Sequence, residues 1–210
     1  MMPFVARAFL TLLVVIDPVG LMPIFMTLTG KYTPAQQDRI AQRAVIVAGG
    51  ILVVFALIGN GLLRYLGISI EAFQIAAGLL LLKIAVDMVF AQRERETAEE
   101  EQEAYLRDDI SVFPLAIPLI AGPGTLASLL ILTTEVNGRS FGMVILLSVV
   151  VVVLGIAYIV FRLSKRLASA FGQTGINVVT RVLGVLLSAL AVQYVLTGVM
   201  SAAQLLIKAT

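Results

Sequence analysis

Phe4 to Leu28 reads FVARAFLTLLVVIDPVGLMPIFMTL, an apolar stretch interrupted in its middle by Asp17-Pro18-Val19-Gly20. Proline has no amide hydrogen, clashes with the turn before it and pushes its predecessor out of the α region, so a first half-helix is predicted to end at Asp17-Pro18. Gly20 can adopt positive φ and let the backbone approach a ligand closely. Pro23 falls in the first turns of the second half, where a missing amide costs little. A second stretch, Val112 to Thr133, reads VFPLAIPLIAGPGTLASLLILT and is interrupted at Gly122-Pro123-Gly124-Thr125, with Pro114 and Pro118 upstream. Pro18 and Pro123 stand 105 residues apart. Backbone at membrane depth cannot be left unpaired, so a broken helix there normally lines a cavity. A matched pair in two halves points to a transport site.

Composition puts the whole chain in a membrane. Sixty per cent of its residues are apolar and 13% charged, and the mean hydropathy of +1.02 is far above that of a domain with a polar surface. A span takes about 20 apolar residues, and six stretches qualify: Phe4 to Leu28, Ile40 to Leu63, Ile70 to Phe90, Val112 to Thr133, Phe141 to Phe161 and Val178 to Ile207. The expected fold is therefore all-α with six transmembrane helices, the first and fourth broken, and no room for a soluble catalytic domain. With no cysteine and no histidine, disulfides, thiolate nucleophiles, Ser/His triads and His or Cys metal ligands are excluded. Neither a metal nor a cofactor is expected. The net charge of +2 is no nucleic-acid signal, because the basic residues flank helices instead of forming a stripe. No small-x-small cleavage site follows the first apolar run, so it is read as a retained helix and not a signal peptide.

The basic residues report orientation. Lys31, Arg39, Arg43, Arg93, Arg95, Arg107, Arg162, Lys165, Arg166 and Arg181 fall at one end of the predicted spans, against Arg7, Arg64, Arg139 and Lys208 at the other. The positive-inside rule then places both termini outside the cytoplasm of an inner, or plasma, membrane. Residues 92–110, rich in glutamate and without apolar periodicity, read as a charged cytoplasmic linker between halves at 1–91 and 111–210. The third helices of the halves align at an offset of 106. Ile70, Gly78, Leu80, Leu81, Ala85, Val86 and Val89 fall on Ile176, Gly184, Leu186, Leu187, Ala191, Val192 and Val195. A three-helix unit enters on one face and leaves on the other, so its copy must be inverted, an arrangement that supports alternating access.

The breaks also carry the chemistry. A half-helix N-terminus offers amide donors and partial positive charge to a carboxylate, and the carbonyls of the preceding C-terminus suit an ammonium or a cation. Asp17 adds a full negative charge. Asp17, Pro18, Gly20 and Pro23 with Gly122, Pro123, Gly124 and Thr125 are thus the candidate substrate site, suited to a small zwitterion; Thr125 or Ser128 would cap the second half-helix. The bland reading makes Asp17 only a cap for its own half-helix. Lys83 and Asp87, one turn apart, with Asp17 and with Gln193 at the repeat position of Asp87, are candidates for ion or proton coupling; Gln193 could instead bond across helices. Asn60 reads as a turn former, Ser69 and Glu71 as a helix start, and Thr33-Pro34-Ala35-Gln36 as a capping box.

Asp17-Pro18-Val19-Gly20-Leu21-Met22-Pro23-Ile24-Phe25, the stretch from Pro114 to Thr125, and Gly67-Ile68-Ser69 with Gly78 resemble the signatures of the MarC family of bacterial and archaeal inner-membrane proteins. The resemblance spans essentially the whole chain. It implies a fold grouped with the LysE-type amino-acid exporters, and an archaeal relative is associated with small neutral amino acids. The leading expectation is a non-enzymatic secondary transporter or exporter of such solutes, in contact with lipid and free to form a homo-oligomer. No nucleotide-binding motif is present to couple ATP. The alternatives are a channel or scaffold without a transport cycle, and an intramembrane enzyme using Asp17 and Asp87. The chain lacks the Gly-x-Gly-Asp pattern of intramembrane aspartyl proteases.

Overall fold

The computed structural model describes residues 2–90, 109–136 and 141–209, which wind into helices joined by short turns. In chain order these are α1 (Met2–Ile16), α2 (Pro18–Thr29), α3 (Pro34–Tyr65), α4 (Ile70–Phe90), the irregular α5 (Ser111–Ile120), α6 (Pro123–Val136), α7 (Gly142–Arg162) and α8 (Ser164–Ala209). Five spans are long and apolar enough to cross a membrane, α1 and α2 counting as one; α5 and α6, bent by 54°, make a sixth if taken together. The chain is an integral membrane protein. Apart from Asp109 and Ile110, the expected linker lies outside the described residues, as does Arg139.

Local chemistry sets several ends. The Thr33 hydroxyl accepts from the Gln36 amide at 3.4 Å while the Thr33 amide donates to Gln36 Oε1 at 2.9 Å, so α3 starts at Pro34, six residues before its apolar run. Ser69 Oγ accepts from the Ala72 amide at 3.2 Å and opens α4 as expected. The last span, expected from Val178, is instead part of a helix that begins at Ser164 and kinks at Gly172 (φ 63°, ψ 171°). Hydropathy marks where a helix is apolar, and the polar turns that extend it carry no such mark.

The most buried segments are the interrupted ones. In α6, Gly124, Thr125, Ala127 and every residue from Ser128 to Thr133 are buried, which makes it a helix enclosed on all sides. Around it, α3 turns one stripe of small residues inward (Ala41, Ala44, Ala48, Leu52, Ala56, Gly59) and points Ile46, Val54, Leu57 and Ile58 outward. Lipid tails are as apolar as leucine, so such helices associate by close packing and not by hydrophobic transfer. The α4–α8 contact is the closest case. A Cβ on Gly78 would lie 2.7 Å from the Ala191 carbonyl oxygen and 2.7 Å from Val195 Cγ2; one on Gly184 would lie 3.1 Å from the Ala85 carbonyl oxygen and 3.0 Å from Val89 Cγ2. Asn60 is not a turn residue: it sits within α3 and its Nδ2 donates to Thr133 Oγ1 of α6 at 2.9 Å.

Ion pairs tie the ends. Arg7 of α1 meets Glu135 of α6, and Arg43 of α3 meets Asp109 at 2.8 Å. The Ser111 hydroxyl donates to Asp109 and, with the Ser111 amide and the Arg43 guanidinium, holds its carboxyl below the usual carboxylate value of 3.8, against the opposing effect of partial burial. A depressed folded pKa adds stability above the unfolded value, and that stability is lost as pH falls through the folded pKa. Melting followed by circular dichroism in detergent should lose an increment below about pH 4, and the Asp109→Asn variant should lack that increment at every pH.

The α4–α8 contact makes an opposite-sign prediction for one chemical change. Gly78→Ala forces a methyl against backbone and should cost about 1–3 kcal/mol. Gly61→Ala meets no atom within 4 Å and should gain about 0.5–1 kcal/mol from the helix preference of alanine. Denaturant titrations of the two variants check the sign.

Candidate functional site at the two helix interruptions

The first interruption is one residue wide. Asp17 is fully buried and adopts left-handed backbone angles (φ 46°, ψ 65°). Its amide still donates to the Leu13 carbonyl at 3.0 Å, and its carbonyl accepts from the Leu21 amide at 3.0 Å. The ladder therefore passes the break without orphaned groups at this residue. Asp17 Oδ1 accepts from the Gly20 amide at 3.0 Å, so the carboxylate caps α2. The left-handed conformation costs an ordinary side chain roughly 1–2 kcal/mol, and aspartate tolerates it through such local bonds. Gly20 itself is helical, contrary to the torsional role expected of it. What requires glycine is space, because a Cβ there would lie 2.0 Å from Asp17 Oδ2. Pro18, buried, supplies the first position of α2, and Pro23 lies half-buried within it.

The second interruption is wider. Pro114 and Pro118 follow cis peptide bonds, and the residues before them, Phe113 and Ile117, are extended. With no proline amides to donate, the Ala121 amide reaches back five residues to the Ala116 carbonyl at 2.9 Å. A Cβ on Gly122 would stand 2.3 Å from the Pro118 carbonyl oxygen. The first in-register bond of α6 runs from the Leu126 amide to the Gly122 carbonyl at 3.0 Å. Pro123 therefore opens α6, and the Gly124 and Thr125 amides have no partner four residues back within it. Thr125 does not cap them. Its hydroxyl donates to the Ile120 carbonyl at 2.9 Å and so satisfies the end of α5. Ser128 does not cap them either: its hydroxyl is fully buried and has no partner among the described residues.

Packing seats the second interruption against the first. A Cβ on Gly124 would meet Ile84 Cδ1 at 2.7 Å, Leu81 Cδ2 at 3.1 Å and Val15 Cγ1 at 3.4 Å, the last only two residues before Asp17. Gly122, Gly124 and Thr125 are buried, whereas Pro123 is exposed. Around Gly124 the space is filled by these apolar side chains. Elsewhere, Lys83 Nζ meets Asp87 Oδ2 at 3.0 Å within α4. Gln193 does not bridge helices: it is exposed, and its Nε2 donates to Thr197 Oγ1 one turn along α8 at 3.2 Å.

The family profile described as "MarC family integral membrane protein" matches residues 2–203, across both interruptions. This chain belongs to the MarC family. It is 37% identical over 196 residues to the UPF0056 membrane protein MJ1677 of Methanocaldococcus jannaschii, covering 93% of this chain and 95% of that one. To the UPF0056 membrane protein YhcE of Escherichia coli K12 it is 32% identical, covering 94% and 92% of the two chains. The figures for YvbG of Bacillus subtilis are 33%, 94% and 95%. No solved structure matches. In this MarC-family chain the contacts that residue reading missed, Asn60 with Thr133 and Arg7 with Glu135, link residues 73 and 128 positions apart, and no local motif marks them.

Asp17 combines a cap with a left-handed backbone, and two variants separate these demands from its charge. Asp17→Ala should cost about 1–2 kcal/mol, losing the cap. Asp17→Asn keeps an acceptor and tolerates the backbone, so its melting temperature should stay close to that of the parent chain.

Proposed function

We propose that this chain is a secondary transporter of small solutes, small neutral amino acids foremost, working by alternating access across the inner membrane with both termini outside the cytoplasm. The observation that carries this reading is Asp17, an acid fully buried at a non-helical junction midway along an apolar span and packed beside a second interruption. Ionisable groups at such depth are expensive and mark solute or ion paths. The Asp17 carboxylate would take an ammonium group, and the free amides of Gly124 and Thr125 at the start of α6 would take a carboxylate. Pro18, Gly20, Pro23, Gly122 and Pro123 form the two interruptions at which such a ligand would bind. Lys83 and Asp87, paired with each other, are assigned to coupling.

The inverted repeat is part of the proposal, and the helix contacts support it. Subtracting 106 from Ala191 and Val195, which face Gly78, yields Ala85 and Val89, which face Gly184. Reciprocity of this kind is what a two-fold axis through the α4–α8 contact requires. Gly49, against Leu154 at 3.1 Å, and the positive-φ pair Gly67 and Gly172 keep the 105 offset of Pro18 and Pro123. The filled space around Gly124 corresponds to a closed state, from which relative rocking of the repeats would expose the site. Arg7–Glu135 joins α1 to α6 at one end of the bundle, and Asp38–Arg162, at 3.5 Å, joins α3 to α7 at the other.

Proteoliposomes containing the full chain test this. Uptake of labelled glycine or alanine should follow an imposed proton or sodium gradient and fall at least about tenfold in Asp17→Asn, the change expected on losing a charged hydrogen bond of 1.5–3 kcal/mol. Absence of flux for every small amino acid under either gradient sinks the amino-acid assignment. A gradient-independent leak favours the channel reading.

A further inference from the structure

At the end of the bundle where α3 begins and α7 hands over to α8, a cavity of about 430 Å³ opens. Its size falls within the range of small-ligand sites. Part of its lining is the stacked pair Phe25 and Phe161, with ring centroids 4.8 Å apart and planes 9° from parallel. Arg162, Lys165 and Arg166 also line it. The one carboxylate in the lining, Asp38, is already engaged: Tyr158 donates to its Oδ1 at 2.9 Å and Arg162 Nε lies 3.5 Å from the same oxygen. Lys165 and Arg166 have no acidic partner among the described residues. The cavity therefore keeps a surplus of positive charge.

Two further features point to an anion. The Arg166 and Leu167 amides both donate to the Leu163 carbonyl, so α8 begins here, and its first residues, Ser164, Lys165 and Arg166, line the cavity, where the positive end of a helix favours an anion. Ser164, at that start, is 4% exposed and lines the cavity, and its hydroxyl makes no hydrogen bond among the described residues. A hydroxyl that lines a cavity and has no protein partner among the described residues can donate to a bound acceptor.

We propose that this cavity binds a phosphate group, carried by an anionic membrane phospholipid or free in solution, with Ser164 donating to it and Lys165 and Arg166 supplying charge. Arg side chains pair with phosphate in a planar fork and Lys as a point charge. The aromatic pair and the position at the ends of the spans suit a headgroup whose acyl chains lie along the bundle. The site is separate from Asp17 and does not depend on the transport reading.

The chain has no tryptophan or cysteine, so melting of the purified full chain in uncharged detergent is followed by circular dichroism. Three probes are compared: phosphatidylglycerol, diacylglycerol with the same acyl chains, and inorganic phosphate against chloride at equal ionic strength. Phosphatidylglycerol or phosphate should raise the melting temperature in a saturable way, and diacylglycerol and chloride should not. A shift from the lipid alone identifies the headgroup as the source, and a shift from inorganic phosphate alone identifies a soluble anion. Lys165→Gln combined with Arg166→Gln, at exposed positions, should weaken the apparent affinity at least about tenfold by loss of charged hydrogen bonds. Ser164→Ala should weaken it less, and Arg64→Gln at the opposite end should leave it unchanged. Equal shifts in parent and double variant, or an equal shift from diacylglycerol, would overturn the proposal.

Discussion

Amides and carbonyls at membrane depth are costly to leave unpaired, and this one constraint governs how the two interruptions are built. At the first, Asp17 keeps both of its own backbone bonds and lends a carboxylate oxygen to the Gly20 amide. At the second, two prolines remove donors, and the repair comes from the Ala121 amide reaching five residues back and from the Thr125 hydroxyl on the Ile120 carbonyl. Side chains here stand in for lost helical bonds, so the residue types are dictated by donor and acceptor count before any ligand is considered.

Those repairs work only in a protected interior, which the surrounding helices supply through small residues. The alanine stripe of α3 and the facing glycines of α4 and α8 bring backbones close enough for dispersion to hold the bundle without a hydrophobic drive between helices. The segments that most need shelter, α2 and above all α6, are the ones these helices enclose. Such packing is discrete, and close-packed helices have few intermediate arrangements. That property suits a protein proposed to alternate between two states.

Charge is distributed in a matching way. Near the helix ends, charged side chains pair across the bundle, as Arg43 does with Asp109 and Asp38 with Arg162. Asp17 departs from that pattern. It is fully buried, its Oδ1 caps α2 through the Gly20 amide, and its backbone is left-handed.

The sequence by itself determined the membrane setting, the approximate spans, the location of both interruptions and the caps at Thr33 and Ser69. Each follows from a property carried by a few neighbouring residues: apolar length, a missing proline amide, or a hydroxyl three residues from an amide. Even so, apolar length misplaced the starts of α3 and α8, because polar turns continue a helix without changing its hydropathy. Only the tertiary structure decided that Gly124 packs beside Val15, that Gly20 is required for space and not for torsion, and that Thr125 serves the preceding segment. It also decided that the Ser128 hydroxyl is buried without a partner among the described residues and that Asn60 reaches Thr133. These depend on distances between residues far apart in the chain. Close packing of helices sets such distances to within a few tenths of an ångström, and no local pattern encodes them.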